Sequence, residues 1–136
     1  MARVLESQGA KGMTIVQEVR ESILKSLKKA ELSVEKGDFS DLMTAGVRIS
    51  VFPELINDEK WKKELYLSAL ILSNMGGLAD KEFLDKLGPE KKNTLIKDLG
   101  TKLQALGDAI NGEKLAQMSD ILRDMVTLYY VQMIYS

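Results

Sequence analysis

Val16, Val19, Ile23, Leu27, Ala30 and Val34 recur at spacings of three and four, which places them on one stripe of an α-helix. Thr14 is a suitable N-cap and Gly37 a suitable left-handed residue after the end, so a helix is expected over about 14–36. The run "EKGDFSDLM" then reads as a corner between helices, with Asp38 or Ser40 capping a shorter helix near 40–50. That helix has to fade before Pro53, because the residue preceding a proline is pushed out of the helical region. The stretch "GVRISVF" also alternates like a strand, with Val47, Ile49 and Val51 on one side. A lone strand in a helical chain has nothing to pair with, so the helix is preferred.

Pro53 to Ile56 suits a single turn, after which Asn57 or Asp58 caps a helix whose inward stripe is Trp61, Leu65, Ala69 and Leu72. Its expected end, near residue 75, is the pair Gly76-Gly77, either of which can take a left-handed C-terminal conformation at low steric cost. A phosphate-cradling loop would need a preceding strand and a longer glycine pattern, so the pair reads as punctuation between helices. Asp80 is placed to cap a short helix near 80–87. Gly88-Pro89 ends that helix and starts the next, with proline at a first-turn position. Ile96, Leu99, Leu103, Leu106 and Ile110 define a helix over about 90–111, whose internal Gly100 and Gly107 suggest close approach of a neighbour. Asn111-Gly112 makes a corner, and Leu115, Met118, Leu122, Met125, Tyr129 and Met133 carry a last helix over about 113–135.

The expected fold is therefore all-α: an up-and-down bundle of four main helices (about 14–36, 58–75, 90–111 and 113–135) plus short helices near 40–50 and 80–87. Residues 1–12 have two glycines and no helical period, and are expected to form a flexible N-terminal tail to a single bundle domain spanning 13–136. A chain of 136 residues is long enough to bury a core without disulfides or metal.

Composition narrows the chemistry. With neither Cys nor His, the chain lacks thiolate and imidazole ligands, a Glu-x-x-His di-iron motif, and Cys-His or Ser-His-Asp nucleophile systems. No catalytic residue, metal or cofactor is expected. Carboxylates and Lys remain available for chemistry, but no constellation of them stands out. The net charge is -1 with both signs scattered, so there is no basic footprint for nucleic acid. "KWKK" (Lys60, Lys62, Lys63) is flanked by Glu59 and Glu64, and reads as a solvated helix face. Asp80, Glu82, Asp85 and Glu90 lack the spacing of a calcium loop. No segment is apolar enough to insert in a membrane, no signal-peptide core is visible, and a cytoplasmic location is expected.

The back faces of two helices carry the remaining signal. Opposite Leu65 the residues read Lys60, Lys63, Leu67, Leu70, Ile71 and Asn74, charged at first and then apolar. Opposite Tyr129, the charged Asp120, Arg123 and Asp124 give way to Tyr130, Val131, Ile134 and Tyr135. An alternating bundle sets these two apolar halves at the same end. Leu67, Leu70, Ile71, Tyr130, Val131, Ile134 and Tyr135 thus form a candidate contact surface, for a second copy of the chain as a homodimer or for a partner helix. Trp61 and most of the methionines are expected in the core rather than in an adaptable groove. The resulting functional expectation is a non-catalytic interaction module, an adaptor, small regulator or chaperone. A helical pocket for an apolar small ligand is the alternative, and an enzyme using carboxylates and Lys comes third.

Overall fold

The computed structural model describes residues 15–78 and 81–135, and for Leu78, Lys81, Gln132, Met133 and Tyr135 the backbone alone. Six α-helices occur among the described residues: α1 (Gln17–Glu35), α2 (Ser40–Ile49), α3 (Glu59–Leu78), α4 (Lys81–Leu87), α5 (Pro89–Asn111) and α6 (Leu115–Tyr135). A 3-10 turn, Pro53–Leu55, joins α2 to α3. There is no strand among the described residues, so the fold is the all-α bundle that the apolar periods predict. The expected tail and the expected caps Thr14 and Asp80 lie outside those residues.

The first corner shows how the local sequence sets the chain's direction. Gly37 has φ of 82°, and the Gly37 and Asp38 amides donate back to the Val34 and Ser33 carbonyls at 2.9 and 3.0 Å. These are the two paired bonds of a left-handed helix stop, which glycine enters at little cost. Asp38, one residue ahead of the N-cap Phe39, braces the turn into α2, its Oδ1 accepting from the Ser40 amide at 2.9 Å and the Ser40 hydroxyl at 2.7 Å. Those two bonds favour the carboxylate and hold its pKa below the ordinary 3.8 against a small opposing desolvation. Asp38→Ala should therefore lower stability at neutral pH by about 1 kcal/mol, through loss of the two bonds that brace the turn into α2. Because the folded pKa is the depressed one, the difference between wild type and variant should persist above pH 3.8 and vanish as pH falls through the folded value. Urea titrations at pH 7 and pH 2.5 check both statements.

The second long corner differs from expectation. Gly112 has an ordinary φ of -87°, and the left-handed residue is Glu113 at 52°. The Lys114 amide reaches the Ala109 carbonyl at 2.8 Å, so the same stop motif forms one residue later than the glycine suggests. Arg20 pins this corner to the start of α1, lying 3.5 Å from Glu113 Oε2 and donating to the Asn111 carbonyl at 3.3 Å.

Contacts between helices give their directions. Ser33 near the end of α1 bonds Asp41 at the start of α2, and Ser26 and Lys29 further back in α1 flank a crevice with Thr44, Ala45 and Arg48 further along α2, so these two run antiparallel. Gly76 of α3 lies against Leu42 and Met43, while Gly46 lies against Ala69 and Ser73, which makes α2 and α3 antiparallel as well. Arg20 of α1 meets the end of α5, whereas Gly37 sits beside Lys92 near its start. Lys102 of α5 pairs with Asp124 of α6 at 2.9 Å, and Leu95 shares a cleft with Leu128 and Val131. Following these pairings, α3 and α6 run in the same direction, and their charge-free C-terminal halves share one end of the bundle.

One apolar cluster fills the interior, from Ile15 through Leu27, Leu42, Leu65, Leu72, Leu99, Leu106 and Ile110 to Leu122 and Met125. Trp61, Met75 and Met118 are buried as expected, and Met43 is exposed. On α5 the inward stripe begins with buried Leu95, while Ile96 is half-buried.

The glycines are distributed differently from the sequence reading. α3 continues through Gly76 and Gly77 to Leu78, and neither glycine has a positive φ. The pair is therefore neither a helix stop nor a ligand cradle. A Cβ on Gly76 would stand 2.5 Å from the Met43 amide nitrogen, and one on Gly46 would stand 2.7 Å from the Ala69 carbonyl oxygen. The two glycines let the backbones of α2 and α3 touch. Close approach was expected at Gly100 and Gly107, but Gly100 has nothing within 4 Å of a would-be Cβ and Gly107 meets only Leu24 at 3.7 Å. Gly100→Ala should thus raise stability by about 0.5–1 kcal/mol through helix propensity alone, as a small upward shift in Tm.

Candidate interaction surface

Three of the α6 residues proposed from sequence lie on the surface: Tyr130 is 61% exposed, Val131 44% and Ile134 78%. They follow from the local pattern. Leu122 and Met125 turn inward and are fully buried, so residues about a third to half a turn away face out. Up to Asp124 those outward positions are charged; beyond it they are not. Tyr130 is steadied by its neighbour Tyr129, a partly buried residue packed on the core, their ring centroids 6.3 Å apart and tilted by 48°. The Tyr135 side chain lies outside the described residues.

On α3, Leu67 and Leu70 are exposed, the latter by 60%, but Ile71 is not: it is 7% exposed and belongs to the core. The apolar spacing alone predicts a single inward stripe on α3 centred on Leu65. In the structure α3 packs against α2 on one flank and α6 on another, and its buried sector widens to take in Ser68, Ile71 and Met75 beside Leu65 and Leu72. Ile71, about 120° round the helix from Leu65, falls inside that wider sector.

A further exposed apolar group runs along α2, with no break in charge to mark it in the sequence. Met43, Val47 and Val51 follow one another at intervals of four along and just past α2, all exposed, and Leu55 continues the series in the 3-10 turn. The strand alternative had set Val47, Ile49 and Val51 on one side; the helix buries Ile49 completely and leaves the two valines outside. Gly46 and Ala69 are in the contact between α2 and α3, and Leu70 is the next residue along α3. Exposed Tyr66 donates its hydroxyl to Glu54, tying α3 to the 3-10 turn, and this bond raises the tyrosine pKa above 10.0. Exposed apolar residues therefore occur along α2 and the turn after it, on α3 at Leu67 and Leu70, and on the last turns of α6 at Tyr130, Val131 and Ile134.

Two clefts accompany these faces. One, of about 370 Å³, lies between the first turns of α5 and the second half of α6. The other, of about 270 Å³, lies between α1 and α5 and is more polar; Glu31, nearly buried beside it, pairs with Lys28 at 3.5 Å. The flanking charges read from sequence pair locally, Lys62 with Glu59 at 3.9 Å and Lys86 with Glu82 at 3.7 Å. Among the described residues there is no group of three or more His, Cys, Asp or Glu side chains that could hold a metal ion, and no helix long and apolar enough to cross a membrane. Comparison with protein-family models, with curated proteins and with solved structures returns no match.

Proposed function

We propose that the protein is a non-catalytic interaction module, an adaptor, small regulator or chaperone, that associates through the charge-free end of α6, first of all with a second copy of itself. The observation that carries this reading is Ile134, a large aliphatic side chain 78% exposed beside exposed Tyr130 and Val131, on a helix half with no charged residue. Single exposed apolar residues are ordinary on any surface, whereas adjacent ones on one helix face mark a contact site. A patch of this kind is satisfied by its own two-fold copy, which makes a closed homodimer the simplest assembly. The exposed apolar residues of α2 and α3 offer a second contact for a partner helix in the same assembly.

Sedimentation velocity across a range of concentrations tests the reading at its simplest. A species of twice the chain mass, growing with concentration, is the expected result. A monomer at every concentration that also captures no amphipathic helix would contradict it.

A further inference from the structure

We propose that the cleft between α5 and α6 binds one compact, uncharged apolar molecule, of the class of a bicyclic aromatic or a short alkyl chain. Its floor is aliphatic: Leu95 is buried there, and Leu87, Leu128 and Val131 complete the wall from α4 and α6. The cleft measures about 370 Å³, at the lower end of the range of small-molecule pockets. A single benzene ring needs roughly 150 Å³, so the space suits two fused rings or a chain of comparable bulk.

The mouth sets the charge of the ligand. Glu90, Lys91 and Asp98 surround it, so both signs are present and neither an anion nor a cation meets a uniform field. A charge carried down onto the leucines would lose its water with no partner in exchange, which excludes ionised groups from the floor. The Thr94 hydroxyl, exposed at the rim, is available to one polar atom of the ligand. This site does not depend on the proposed self-association, although Val131 belongs to both surfaces.

The test is calorimetric titration of the full-length chain with 1-naphthol, a two-ring probe that is neutral at pH 7 and carries one hydroxyl for Thr94. One-to-one saturable binding is expected in the wild type. Thr94→Trp fills the mouth from α5 and Val131→Trp fills it from α6; both positions are exposed, so at least one variant should retain the helical circular dichroism of the wild type. Each folded variant should weaken the probe at least about tenfold. Leu70→Asp, on α3, should leave binding unchanged. Absence of saturable binding would overturn the proposal. So would binding that survives a folded filling variant, or binding removed by Leu70→Asp. Binding that appears only when Ile134→Asp is introduced would overturn it too, since the cleft would then be occupied by the second copy.

Discussion

Replacing Gly76 by Ala should destabilise the protein by about 1–3 kcal/mol or more, the range for forcing extra volume into a packed interior. The added methyl would stand 2.5 Å from the Met43 amide nitrogen and 3.1 Å from both the Met43 Cα and the Leu42 Cβ. Two of those three neighbours are backbone atoms, which cannot turn aside as a side chain can, so α2 and α3 must separate or shear. The loss of helix-helix contact then spreads to Leu42, Ala45 and Leu72, all buried in the common core. Gly46→Ala should behave alike, since its methyl would meet the Ala69 carbonyl oxygen and the Ser73 amide nitrogen, each at 2.7 Å.

The adjacent residue supplies the control. A Cβ on Gly77 would meet only the Met43 Cε, at 3.2 Å, the far end of a flexible and exposed side chain. Gly77→Ala should therefore be near neutral, with the gain in helix propensity offsetting the displacement of one methyl. Thermal melts of the two single variants should differ by roughly 5 °C or more, with Gly76→Ala the lower. Equal melting temperatures would mean that α2 and α3 are not in backbone contact at this point.

These glycines also show where sequence reading reached its limit. A helix stop and a helix crossing both call for glycine, and the single-chain pattern does not distinguish absence of a Cβ for φ from absence of a Cβ for space. Gly37 and Gly88 are stops with positive φ, as the pattern implies, and the cap at Asp58 follows from residue type and spacing, whereas α2 starts from Phe39 with Asp38 one residue ahead of it. The long helices were legible because their core faces keep a period of three and four over many turns. Ile71 falls inside the core rather than on the surface for a different reason. Whether a flank of a helix is covered depends on how many neighbours it packs against, and α3 has two on different sides. Tyr130, Val131 and Ile134 were legible because charge disappears from the back of α6 after Asp124 while large apolar residues continue.

Ile134→Asp should leave the fold intact and remove the proposed self-association, the second large effect. Its side chain is 78% exposed in the single chain, so a carboxylate there remains hydrated and costs the monomer little. In a two-fold contact the same carboxylate would face its own copy in an apolar surrounding, where a buried unpaired charge is strongly unfavourable. Leu122→Asp, at a fully buried position on the same helix, should instead unfold the chain and so calibrates what core disruption looks like. The most direct measurement is therefore sedimentation velocity of wild type and Ile134→Asp at equal concentration, each checked by circular dichroism. A dimer is expected for the wild type and a folded monomer for the variant; a wild type that stays monomeric, or a folded variant that sediments as a dimer, would overturn association through α6.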